Sequence, residues 1–110
     1  MIYEIRRYEC LPGKLGALNE LMEKYAVPLF EKHGMTVVGA WVPSVGDDEN
    51  TLIYMLSYPD MGVREKAWDA FFADPEWHAG RTEIGQKAGG PLVGHGDSSF
   101  LKPTSYSPLK

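Results

Sequence analysis

The stretch Thr51-Leu52-Ile53-Tyr54-Met55-Leu56-Ser57-Tyr58 has the length and the branched and aromatic content of a strand, yet it is apolar on both sides. Leu52, Tyr54, Leu56 and Tyr58 share one side, and Ile53 and Met55 share the other. In a sheet with one wet face, a strand alternates apolar with polar residues. This one does not, so both faces of its sheet need cover. Residues 35–42 repeat the signature, with Val38, Ala40 and Val42 opposite Val37 and Trp41. The fold must place these two strands where each side meets something dry.

The rest of the chain supplies one such cover. Residues 2–10 alternate and are rich in Ile and Tyr, which predicts a first strand, broken by Leu11-Pro12-Gly13-Lys14. Leu15, Leu18, Met22, Tyr25 and Leu29 recur at spacings of three and four and predict one inward stripe of a helix. Pro28 predicts a kink in it, and Gly34 suits its left-handed C-cap. A polar loop is expected over 43–50. Asp60 can N-cap a second helix to about Ala73, and Asp74-Pro75-Glu76-Trp77 restarts helix until Gly89-Gly90-Pro91. Gly94-His95-Gly96-Asp97 reads as loop, residues 98–102 as a short fourth strand, and 103–110 as a tail.

The order is strand, helix, strand, strand, helix, strand. It predicts a single α+β domain over 1–110, with the ferredoxin-like βαββαβ arrangement and an antiparallel sheet. Right-handed crossovers place both helical segments on one face. A second copy, packed sheet to sheet, is the economical cover for the other, so a homodimer is expected.

Composition narrows the function. Eleven Lys and Arg against fifteen Asp and Glu give a net charge of -4, the wrong sign for a nucleic-acid footprint. No apolar run approaches the ~20 residues of a membrane span. The opening Met1 to Arg7 is too polar for a secretory segment, and a lone Cys10 can close no intrachain disulfide, so a cytoplasmic home is expected. His33, His78 and His95 show no metal-ligand spacing. The expectation is no metal and no cofactor. Of the three, His78 is the best candidate for a haem ligand or general base, because it is helical and follows Trp77. Cys10 lacks a nearby base, and no G-x-S-x-G elbow is present.

Glu4, Arg6 and Tyr8 project from one face of the first strand, with Tyr3 and Ile5 on the other, where they are expected to meet the helices. Glu4 and Arg6 could be a solvated surface pair. Under a dimer cover they become a partnered pair in a cavity, where Arg6 could grip a carboxylate, enolate or phosphate. Trp41, Tyr54 and Tyr58 could wall such a cavity and suit a flat hydrophobic ligand such as a quinone, polyketide or porphyrin; each could equally be a core aromatic. Trp68, Phe71 and Phe72 sit at helical spacing and read as core.

Tyr3-Glu4-Ile5-Arg6-Arg7-Tyr8 with Pro12-Gly13-Lys14 resembles the opening of the NIPSNAP family. Glu31-Lys32-His33-Gly34, Val38-Gly39-Ala40-Trp41, Tyr58-Pro59-Asp60, Asp74-Pro75-Glu76-Trp77 and Lys102-Pro103-Thr104-Ser105-Tyr106-Ser107-Pro108-Leu109 are similar to its later signatures, in order along nearly the whole chain. One departure is Tyr54 and Leu56, where members often carry His and Trp on the third strand. The resemblance implies a dimeric α+β barrel of undefined activity, whose relatives in fold include cofactor-free monooxygenases. The expected function is binding of a small hydrophobic or aromatic molecule in the barrel cavity. The alternatives are a cofactor-free oxygenase or isomerase, with Arg6 on the oxyanion and a tyrosine as proton donor, and a non-enzymatic scaffold.

Overall fold

The computed structural model describes residues 1–46 and 48–110; Asp47, part of the polar loop expected over 43–50, lies outside the described residues. Strands β1 (Ile2–Cys10), β2 (Thr36–Trp41), β3 (Thr51–Tyr58) and β4 (Val93–Leu101) form one antiparallel sheet in the order β2-β3-β1-β4. Helix α1 (Leu15–Leu21), a π-helical turn (Met22–Ala26) and helix α2 (Val27–Lys32) join β1 to β2. Helices α3 (Met61–Ala73) and α4 (Pro75–Ala88) join β3 to β4. This is the α+β ferredoxin-like order that the sequence predicts.

The bend expected at Pro28 is realised one turn upstream. Proline has no N–H for the carbonyl four residues back, and its ring crowds that carbonyl. The wider π turn relieves the clash, and the Val27 N–H reaches back to the Met22 carbonyl. The turn takes up one extra residue and so shifts the phase of the helix. Leu18 and Leu21 face the core before it, Met22 and Ala26 within it, and Leu29 and Phe30 after it. Tyr25, expected on the inward stripe, packs half-buried at the edge of the core and reaches α4, where it lies against Gly80 and its O–H donates to Glu83.

The second helical segment breaks where Asp74-Pro75 predicts. Asp60 accepts from the Val63 N–H at 2.9 Å to cap α3, and Asp74 accepts from the Glu76 N–H at 2.9 Å to cap α4. The Asp74 carboxylate also holds Lys32 and His33, each at 2.8 Å, which ties the end of α2 to this junction. The hydrogen bonds from Lys32 and His33 hold its pKa far below the usual carboxylate range.

Two expectations are corrected. Strand β4 begins at Val93, so residues 94–97 are strand and not loop. Backbone pairing to β1 (Arg7 with Asp97, Tyr8 with Gly96) suffices at an exposed edge and needs no apolar alternation. The faces of β1 are also reversed. Register places Glu4 beside Leu56, Arg6 beside Tyr54 and Tyr8 beside Leu52, and those β3 residues are buried in the core. Glu4, Arg6 and Tyr8 therefore lie under the helices, whereas Tyr3 and Ile5 pair with Ser57 and Met55 on the open face. The physical reason is that the charges beneath the helices satisfy one another, as described below. The open face carries Ile5, Ile53, Met55 and a half-exposed Trp41, and Pro103 and Leu109 of the tail border a shallow cleft there with Tyr3.

Candidate functional site

A cavity of about 380 Å³ opens between the sheet and the helices. Arg6 and Tyr8 of β1 and Tyr54 of β3 supply its polar end. Leu18, Met22 and Phe30 line one wall, and Trp68, Phe71 and Trp77 another. Ala26, brought inward by the π turn, adds only a methyl group to the lining. Arg81 and residues 90–93 complete its lining. Among the described residues, the charged groups lining it are the two arginines, and no acid joins them. A protein of net charge -4 thus presents the Arg6 guanidinium, and the exposed Arg81, to an aromatic cavity.

Behind the cavity lies a saturated carboxylate. Glu4 is fully buried. Its Oε1 accepts from the Tyr58 O–H at 2.8 Å and from Arg64 Nε at 2.9 Å. Its Oε2 accepts from Arg6 Nη1 at 2.8 Å and Arg64 Nη2 at 3.1 Å. Those contacts occupy the four lone-pair positions of a carboxylate. Burial pushes the Glu4 pKa up, but the bonds from Arg64 and Tyr58 and the charge of Arg6 hold it below the usual value. Trp68 Nε1 donates to the Tyr58 oxygen at 2.9 Å, so this oxygen too is occupied. Glu4 is a pin, with no free lone pair to act as a base.

Arg6 joins this pin to the cavity. Its Nε donates to the Tyr54 oxygen at 2.8 Å and to the Tyr8 oxygen at 3.1 Å, and its Nη2 to Tyr8 at 2.9 Å. The guanidinium lies 4.6 Å from the Trp68 ring centre, a cation–π distance. Burial alone would lower the Arg6 pKa, but the neighbouring Tyr54 and Tyr8 oxygens and Glu4 raise it, so the charge persists. Burial, then Tyr8, pushes the Tyr54 pKa well up, so that hydroxyl keeps its proton. The Tyr8 ring lies across Gly96 of β4, where a Cβ would come within 3.1 Å of the ring. Glycine there leaves room for the ring.

Of the residues singled out in the sequence, the structure brings Arg6, Tyr8 and Tyr54 together at the cavity. Glu4 and Tyr58 sit directly behind them. Trp41 is not part of the group: it pairs with Ile53 on the open face and folds over Gly39. His78 does not line the cavity, and its Nε2 lies 2.7 Å from the Phe72 carbonyl. Burial and the Asp48 charge push the Cys10 thiol up, away from the thiolate. Among the described residues no acid, His and Cys cluster could hold a metal, and no helix is long and apolar enough to cross a membrane. Arg64 and Arg81 were not singled out in the sequence. A lone arginine on a helix carries no sequence signal; its partner lies on another element. Trp68 and Phe71 belong to the core, as expected, and line the cavity as well; Phe72, expected with them, is instead half-exposed at the cavity's edge.

Comparison with known proteins agrees with this architecture. A family model described as NIPSNAP matches residues 3–108. The solved structure of protein Atu4242 from Agrobacterium tumefaciens is similar with a TM-score of 0.86 and 24% identity, covering 100% of both chains. An uncharacterized NIPSNAP domain protein from Burkholderia xenovorans gives 0.81 and 23% identity, covering 98% of this chain and 99% of its own. SnoaB, a cofactor-independent oxygenase from Streptomyces nogalater, gives 0.62 and 13% identity, covering 97% and 96%. At these identities the likeness is one of fold. No curated protein matches the chain.

Proposed function

The chain belongs to the NIPSNAP family, and from its site we propose that it binds a small, flat, hydrophobic molecule bearing an anionic oxygen, held between its sheet and its helices. The observation that carries this is the pairing of aromatic walls with two arginines and no acid in the lining. The walls favour a ring system, and the guanidinium favours a carboxylate, phenolate or enolate. An interior that served only as scaffold would fill this space with side chains, and about 380 Å³ is open.

The test is Arg6→Ala, titrated with 2-naphthoate by calorimetry beside the parent chain. Glu4 keeps Arg64 and Tyr58 in this variant, so the fold survives. The expected result is binding weakened at least tenfold, the loss of one charged hydrogen-bonding partner. A parent chain that does not bind, or a variant that binds equally well, overturns the proposal.

The open face supports a second copy as partner. Ile5, Ile53, Met55 and Trp41 form an apolar surface on a sheet that the helices leave bare. Light scattering at micromolar concentration is expected to give twice the 12.3 kDa of one chain. A stable monomer contradicts the expectation.

A catalytic role is the second reading, favoured by the meeting of Arg6 with two tyrosine hydroxyls at one end of the cavity. Arg6 would hold an oxyanion and a tyrosine would supply a proton, as a cofactor-free oxygenase or isomerase requires. Oxygen uptake on adding 1,4-naphthalenediol that exceeds its spontaneous autoxidation and is lost in Arg6→Ala would mark such catalysis; binding without that excess marks a binding protein.

A further inference from the structure

The hydrogen-bond inventory of the site leaves one hydroxyl proton unused, and the packing says which. Tyr8 and Tyr54 face each other with their oxygens 2.9 Å apart, so one hydroxyl donates to the other. Arg6 can only donate, and it donates to both. The Tyr54 side chain is buried, and the Tyr8 oxygen is the acceptor within its reach. Were Tyr8 the donor, the Tyr54 proton would have no acceptor among the described residues, and the Tyr54 side chain, 1% exposed, is nearly closed to water where Tyr8 is not, so the desolvation cost of an unpaired donor falls on Tyr54. With Tyr54 as donor, every bond closes. The Arg6 Nε–H is shared, at 2.8 Å to the Tyr54 oxygen and at 3.1 Å to that of Tyr8; the Tyr8 oxygen also accepts from Arg6 Nη2 and from Tyr54, and the Tyr8 proton is left over. Tyr8 is partly exposed and lines the cavity. Glu4, the nearest carboxylate of the network, has no lone pair left to receive that proton.

We infer that the Tyr8 hydroxyl is the ligand-facing donor of the cavity, held in one orientation by Arg6 and Tyr54, and that it selects ligands presenting an oxygen acceptor beside the Arg6 guanidinium. This rests on the binding reading above and sharpens it. An aromatic carboxylate, phenolate or ketone is preferred over an aromatic amine or a bare hydrocarbon of the same shape, because its contacting atom accepts from O–H and N–H together.

Two variants and two probes test it. Tyr8→Phe is expected to weaken 2-naphthoate binding about tenfold or more while leaving naphthalene unchanged. Tyr54→Phe removes the donor to Tyr8 but leaves Arg6 on the Tyr8 oxygen, so naphthoate binding should fall less than threefold. The opposite orientation gives the opposite pattern: no loss in Tyr8→Phe and a gain in Tyr54→Phe, where the Tyr8 proton would be released. If both probes bind the parent chain and Tyr8→Phe does not tell them apart, this inference fails and the binding reading stands. If neither probe binds, both fall. A neutron structure of the chain without ligand decides the orientation independently. A deuteron on Tyr54 pointing to Tyr8 is expected, and a deuteron on Tyr8 pointing to Tyr54 overturns the assignment.

Discussion

Glu4→Ala is expected to lower the unfolding free energy by about 3–5 kcal/mol, the usual loss when one member of a buried ionic group is removed and its partners are stranded. Arg6 and Arg64 would then face each other across the space that the carboxylate fills, and the Tyr58 hydroxyl would lose its acceptor. Against the roughly 5–15 kcal/mol that holds a domain folded, that is about a fifth or more of the whole. Glu4→Gln should fare little better. One amide oxygen can still accept, but the amide nitrogen would point its hydrogens at arginine hydrogens. Urea unfolding at neutral pH measures both; a loss under 1 kcal/mol in Glu4→Gln would mean that the charge is not what the site uses.

The same group predicts an acid limb. Folded Glu4 releases its proton more readily than the unfolded chain, whose carboxyl has an ordinary value of 4.5. Protons therefore favour the unfolded state. The contribution of Glu4 is complete above the unfolded value and is lost as pH falls through the lower, folded one. In Glu4→Gln this part of the acid dependence should be missing.

Gly80→Ala is the second large effect. A Cβ at Gly80 would fall 2.3 Å from Tyr25 Cγ, the root of the ring and not its mobile end. Relief requires parting α4 from the π turn or swinging the Tyr25 side chain off Gly80 and out of its hydrogen bond to Glu83. Alanine favours a helix over glycine by about 1 kcal/mol, so an unhindered site would be stabilised. Here a net loss of about 1–3 kcal/mol is expected instead. Tyr25→Ala in the same chain should recover much of it, and a double-mutant cycle reads the coupling directly. A Gly80→Ala chain as stable as its parent would refute the contact.

How much of this was legible in the sequence depends on the residue. The element order was, because strand and helix periods are local and Asp60, Asp74 and Gly34 punctuate them. So was the set Glu4, Arg6 and Tyr8, because a strand has a period of two. The face they take was not. Period two divides residues into two sets but does not say which set is inside, and the usual tie-breaker sends charges outward. Here it misleads, because the partner that makes burial tolerable, Arg64, comes from a helix some sixty residues on. Trp41 was misplaced for a related reason. The irregularity between Val37 and Gly39 is a register event between two strands, and neither strand records it alone. The cavity itself had no signature, since the aromatics that wall it are the same types that fill a core.

The π turn has a consequence for chain length. A turn over Met22–Ala26 that absorbs one residue behaves as a recorded insertion. A relative one residue shorter in this stretch can run an unbroken α-helix and still present the same two inward faces, Leu18 with Leu21 before the gap and Leu29 with Phe30 after it. An alignment of such relatives should therefore open a single-residue gap here and nowhere else in the helix. The interaction such a relative forfeits is the one made by the displaced side chain, Tyr25 on Gly80 and Glu83. Where the gap occurs, the glycine at position 80 loses its reason to be glycine.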